Sequence, residues 1–206
     1  MTPPIGSVHF WIGGVIAPRL WQLTRSVLEK NGVETSPDLC FDMIDLERKI
    51  GAGSISCDEY CRHVLERARL PLSPERLASA IENRIELTPG LFDIVAALSR
   101  EHHLYLLSDY PRQWLQPAVM RLGLARYFPD QNIVMMDTYS LVELSSDLFG
   151  RLASPRSLVP DNGLLVDGDP PRAMAALRAG IQTAIFVDAP RLKREFTLLE
   201  MLPATS

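Results

Sequence analysis

A chain of 206 residues with a formal net charge of −4 has room for one α/β domain with an insertion, and it lacks the clustered basic excess that a nucleic-acid backbone demands. Arg and Lys are scattered among acids; only RLKRE, Arg191–Glu195, clusters, and it reads as a solvated helix face. No apolar run approaches the ~18 residues of a membrane span, and no basic segment precedes an apolar core near the start, so a cytoplasmic protein is expected.

The stretch SVHFWIGGVIAP opens with a buried strand over Val8–Phe10, turns at Gly13-Gly14 and enters a helix near Ala17-Pro18. Four helices follow without a strand. LWQLTRSVLEKNG places Leu20, Leu23, Val27 and Leu28 on one face and stops at Asn31-Gly32. The second helix starts at Ser36-Pro37-Asp38 and stops at glycines. The third starts at Ser56, with Glu59 three residues on forming a capping box. The fourth starts at Ser73-Pro74-Glu75.

Alternation begins at Thr88. PGLFDIVAALSREH is a helix, Leu104–Ser108 a strand, PRQWLQPAVMRLGL a helix containing Pro117, and NIVMM a short strand. LSSDLFGRLA is a helix, Leu164–Val166 a strand, PPRAMAALRAG a helix closed by Gly180, and TAIFVD a strand; LPATS is a fraying tail. Strands alternating with helices predict a Rossmann-like parallel sheet with helices on both faces, plus a small all-helical insertion after the first strand. The expected core is residues 1–18 and 88–206, and the insertion is 19–87.

Cys57, Cys61 and His63 lie close together, with Cys40 further off. Their spacing matches no common zinc pattern, and buried reduced thiols are the alternative. His9, between Val8 and Phe10, reads as a core histidine. His102-His103 precede a strand and are expected at the surface.

In open parallel sheets, ligands sit beyond the carboxyl ends of the strands. Those ends carry Trp11, then Ser108-Asp109, then Asp167-Gly168-Asp169. In this order, with a helical insertion after the first strand, they resemble the haloacid dehalogenase-like (HAD) hydrolase superfamily. The likeness runs from about Val8 to Asp188 and is strongest to small-capped, phosphatase-type members whose first motif reads Phe-Asp-(Leu/Ile)-Gly-Gly-Val-(Leu/Ile). Residues 19–87 are similar to their helical cap, and GSISCDEYCRHV to a stretch within it.

The resemblance implies an aspartate nucleophile on the first strand, a Ser or Thr binding phosphoryl oxygens, a lysine, and acids that hold Mg²⁺. Such a set lets a carboxylate approach a dianion. Phe10 matches, and Trp11 stands at the nucleophile. Gly13 stands where many members carry a second, acid/base Asp. Ser108 in LLSD matches the phosphoryl-binding residue, with Asp109 beside it as part of an anion site. Anchoring on Phe149 puts the lysine position at Glu143; no lysine lies between Lys49 and Lys193, and Arg151 or Arg156 are the nearby cations. Asp167 matches the first metal acid, Gly168 the second, and Asp169 follows.

The resemblance with these departures implies loss of catalysis and a role in binding or assembly, with an unidentified small molecule or protein as partner and no nucleic acid or membrane. A homodimer through the apolar positions of LCFDMI is one form this could take. The alternative is an active phosphatase or dehalogenase-like hydrolase using rearranged acids, Asp109, Asp167 or Asp169. Trp11 is either a plug or a stacking platform for a ligand. Ser108 or Asp109 either binds an anion or caps the next helix. Asp167 and Asp169 either hold Mg²⁺ or cap the helix at Pro170-Pro171.

Overall fold

Ser7–Trp11 forms β1, and all five of its residues are buried. A strand covered on both faces belongs inside a parallel sheet, and β1 is central. The computed structural model describes residues 5–136, 162–178 and 180–203. Among them β1 pairs in parallel with β2 (His103–Ser108) on one side and β4 (Gly163–Asp167) on the other. β3 (Ile133–Met135) lies outside β2 and β5 (Gln182–Ile185) outside β4, giving the order β3-β2-β1-β4-β5.

The register sets up the site. Trp11 lies beside Leu107, one residue before Ser108. Phe10 lies beside Val166, so Trp11 and Asp167 leave the sheet together.

Between β1 and β2 run α1 (Leu20–Lys30), α2 (Pro37–Gly51), α3 (Cys57–Ala68) and α4 (Pro74–Glu82), packed against one another. Their starts are made by local chemistry. Ser36, Ser56 and Ser73 each accept a backbone N–H from the first turn, and Glu59 returns the bond to Ser56. The apolar stripe Leu20, Leu23, Val27 and Leu28 is buried. In α2, Leu39 and Met43 are buried and Phe41 is 69% exposed, so only part of LCFDMI faces outward.

Beyond the insertion come α5 (Leu91–Leu98), α6 (Arg112–Arg121), α7 (Pro170–Arg178) and α8 (Ala189–Leu198). α6 runs through Pro117. β5 ends at Ile185, earlier than the apolar run through Val187 suggests, because Asp188 caps α8 by accepting the N–H of Arg191 at 2.7 Å. The RLKRE cations lie on the exposed face of that helix. The helix expected over LSSDLFGRLA, with Glu143, Phe149 and Arg151, lies outside the described residues, as do Arg156 and the tail end Ala204–Ser206. No described helix is long and apolar enough to cross a membrane.

Candidate functional site

Trp11 is fully buried at the end of β1. An indole N–H can only donate, and a buried one needs an acceptor. It finds Oδ2 of Asp109, the residue after β2, at 2.8 Å. Gly13 makes room for this carboxylate: a Cβ there would lie 3.1 Å from Asp109 Oδ1. Asp109 therefore fills the space that a side chain at position 13 would claim. Its Oδ1 is buried and has no hydrogen-bond partner among the described residues.

Asp167 ends β4 with no exposure. Its Oδ1 accepts the Asp169 N–H at 2.9 Å and Arg172 Nη2 at 2.7 Å, and its Oδ2 accepts Arg172 Nε at 2.5 Å. This fork is the bidentate arrangement that suits guanidinium and carboxylate. Arg172 Nη1 reaches to 3.6 Å from Asp109 Oδ2, and its Cζ lies 3.6 Å from the centroid of the Trp11 ring. Burial works against the charge of Arg172, but the carboxylates of Asp167, Asp109 and Asp169 outweigh it and hold the guanidinium above its ordinary range.

Asp169 caps α7: its Oδ1 accepts the Arg172 N–H at 3.0 Å, and its Oδ2 accepts Arg19 Nη2 at 2.7 Å. Burial opposes ionisation of Asp169, and the N–H of Arg172 with the Arg19 guanidinium overcomes it, leaving the carboxyl below its usual range. At Gly168 a Cβ would lie 2.4 Å from the backbone oxygen of Gly14, so this turn has no space for a side chain.

Ser108 is buried, and its hydroxyl is used inside the turn, donating to Tyr110 O at 3.2 Å and accepting the Tyr110 N–H at 3.1 Å. Neither Ser108 nor Asp109 caps α6; Pro111 precedes that helix, and no side chain caps it. Trp11 and Gly13 thus sit with Ser108, Asp109, Asp167 and Asp169 at one edge of the sheet, while Glu143 falls outside the described residues.

Three residues of this edge were not singled out from the sequence: Arg19, Glu47 and Arg172. Each left a signal. Arg172 is a cation in the first turn of a helix, where the dipole disfavours it. Glu47 interrupts the buried stripe Met43, Leu46, Ile50 of α2. Arg19 stands just before the first turn of α1.

Glu47 accepts the N–H of Leu20, the first residue of α1, at 2.8 Å. Burial, then the nearby Asp109 carboxylate, push its carboxyl up to about 8. Between α2 and the sheet edge lies a cavity of about 130 Å³, bordered by Trp11, Ile44, Glu47, Arg48, Asp109 and Arg172 among others.

Elsewhere, Cys61 is buried, and Cys40 and Cys57 are half-buried free thiols. Burial pushes Cys57 up to about 11 and Cys61 up to about 12. His63 Nδ1 lies 2.7 Å from Glu59 O. Among the described residues no group of three or more His, Cys, Asp or Glu side chains is arranged to hold a metal. His9 is buried, with Nε2 3.0 Å from Ser7 Oγ and its ring stacked on Tyr105 at 4.6 Å. His103 is exposed, whereas His102 is half-buried, its Nδ1 3.0 Å from Ile5 O.

Among the described residues, a five-stranded parallel sheet with a helical insertion after its first strand has the architecture of the HAD hydrolase fold. Solved structures carry the same fold. The HAD-family enzyme bt-2542 of Bacteroides thetaiotaomicron superposes with a TM-score of 0.71 at 14% identity, over 94% of this chain and 99% of that one. The HAD-hydrolase YfnB of Bacillus subtilis, bound to magnesium, gives 0.68 at 15% identity, over 96% and 100%. L-2-haloacid dehalogenase of Xanthobacter autotrophicus, with chloropropionic acid covalently bound, gives 0.61 at 18% identity, over 97% and 85%. No family model and no curated protein matches the sequence.

Proposed function

We propose that this is a HAD-like protein whose sheet edge no longer carries out nucleophilic displacement and serves instead in binding or assembly. The observation that carries this reading is Trp11, buried and hydrogen-bonded to Asp109 at the position implied for the nucleophile. Its indole N–H has no lone pair with which to attack phosphorus or carbon. At the position the resemblance implies for the lysine, the sequence carries an acid, Glu143.

Magnesium does not fit this reading. A bound Mg²⁺ is held by carboxylate oxygens, and here the positive guanidinium of Arg172 already forks both oxygens of Asp167, while that of Arg19 holds Oδ2 of Asp169. Trp11 contributes no oxygen. In this reading residues 1–18 and 88–206 are the core, 19–87 act as a cap that encloses the cavity through Glu47 and Arg48, and the protein works in the cytoplasm. Its partner is a small molecule held in that cavity or a protein, a second copy included.

The test is phosphate release in the presence of Mg²⁺ over a panel of small phosphomonoesters, with Trp11→Asp beside the wild type. The wild type is expected to be silent. Turnover by the wild type, abolished in Asp109→Asn or Asp167→Asn, would replace this reading with that of a hydrolase using rearranged acids. Activity gained only in Trp11→Asp would show that the loss is confined to the nucleophile.

A further inference from the structure

The carboxylates at the sheet edge are neutralised from within the chain. Arg172 occupies the third position of α7, close to the positive end of the helix dipole, an unfavourable place for a cation unless acids surround it. They do. Asp167 takes its Nε and Nη2 from β4, Asp109 approaches its Nη1 from the end of β2, and Asp169 caps the same helical turn. The flat guanidinium also lies over the indole of Trp11, from the end of β1, at a distance suited to cation–π attraction. Arg172 is 7% exposed, so it exchanges water for these contacts almost completely.

We infer that Arg172 is the resident cation of the sheet edge: its guanidinium joins Asp167, Asp109 and Trp11 into one closed cluster and takes the position to which two facing carboxylates would otherwise draw a divalent metal. This deepens the reading of a non-catalytic edge and rests on it, because Trp11 and Arg172 belong together. The indole offers the guanidinium a π face; a carboxylate at position 11 would offer a metal another ligand. The remaining charge is consistent with the assignment. Three acids, Asp109, Asp167 and Asp169, face two cations, Arg172 and Arg19.

The assignment predicts that metal competes with Arg172 for the same carboxylates. Binding of Mn²⁺, followed by the loss of its free-ion EPR signal, and thermal melting with and without MgCl₂ or low millimolar guanidinium chloride, test it. Wild type, Arg172→Ala and the double variant Arg172→Ala/Asp167→Asn are compared. The wild type is expected to show no saturable Mn²⁺ binding and no metal-dependent melting. Arg172→Ala is expected to melt lower, to recover with added guanidinium, and to bind Mn²⁺ saturably, at least about tenfold more tightly than any residual wild-type uptake, a gain that the double variant loses.

Saturable Mn²⁺ binding by the wild type that Asp167→Asn removes would overturn the inference. So would an Arg172→Ala protein that melts like wild type and ignores both cations. If Arg172→Ala does not fold, Arg172→Lys decides: one ammonium cannot fork Asp167, and a melting point equal to wild type would overturn the assignment. Phosphate release is scored separately. A wild type that hydrolyses phosphomonoesters without binding Mn²⁺ defeats the functional reading and leaves Arg172 as the resident cation. A wild type that binds Mn²⁺ through Asp167 and hydrolyses nothing defeats this inference alone.

Discussion

The indole of Trp11 and the carboxylate of Asp109 are 98 residues apart in sequence and 2.8 Å apart in space, a bond between the ends of adjacent strands. It lies in a buried setting, where the loss of a hydrogen bond that leaves its partner unsatisfied costs about 1–3 kcal/mol. Trp11→Phe removes the donor while keeping most of the ring, and leaves Asp109 with one bonding partner fewer on a carboxylate whose Oδ1 has no partner among the described residues. We expect a loss of stability in that range by denaturant unfolding. The partner variant Asp109→Ala should show a coupling of similar size in a double-mutant cycle. Strictly additive effects would mean that the bond contributes nothing.

Glu47 ties α2 to the start of α1 and faces Asp109, Arg19 and Arg172. Its carboxyl titrates near 4.5 when unfolded and at about 8 when folded. Between those values the folded state keeps a proton that the unfolded chain has lost, so this group makes stability fall as pH rises through the window and become level above it. Glu47→Gln keeps an oxygen for the Leu20 N–H and cannot ionise. It should match the wild type at the acid end and exceed it above pH 8, measured as unfolding midpoints across the range. Parallel curves for the two proteins would rule the effect out.

What was legible in the sequence was local. The serine caps at Ser36, Ser56 and Ser73 act within one helical turn, and β1 announces itself as an apolar run before a glycine turn. Trp11 was visible as an oddity because a motif surrounds it. The cluster that accommodates it was not, because its bonds join Trp11 to Asp109 and Arg19 to Asp169 across 98 and 150 residues. Spacing cannot report such pairs. Only their local cost was on view: a cation at a helix start in Arg172, and an acid on an apolar stripe in Glu47. Ser108 matched a motif, and the bonds of its hydroxyl to Tyr110 within the turn were not legible from that match.

His9 lies in the middle of β1, and burial lowers it from 6.5 to about 4. Below pH 6.5 the unfolded chain takes up a proton that the folded ring refuses, so the contribution of His9 is full above that value and is lost as pH falls toward 4. The loss is of order 3 kcal/mol. It runs opposite in sign to that of Glu47 over the window they share, so the single variants separate them. His9→Phe keeps a ring against Tyr105 and removes the titration. Its stability should therefore decline less than wild type between pH 6.5 and pH 4. An unchanged acid limb would place the titrating group elsewhere.

Gly168 decides whether the second acid of a metal pair could ever stand in this turn. A Cβ there would lie 2.4 Å from the carbonyl oxygen of Gly14, closer than any van der Waals contact and against backbone, which cannot rotate away. The loop after β4 and the loop after β1 touch at this point, so any side chain forces them apart and pulls on the cluster of Trp11 and Arg172. Gly168→Ala is expected to cost about 1–3 kcal/mol, the usual range for overpacking. Gly13→Ala is the comparison: its Cβ would meet the Asp109 carboxylate at 3.1 Å, a side chain that can shift, and its cost should be smaller. Thermal and denaturant unfolding of the two variants measures both. If Gly168→Ala is the milder change, the contact between the loops is slack, and the glycine at 168 reflects a lost ligand rather than a packing requirement.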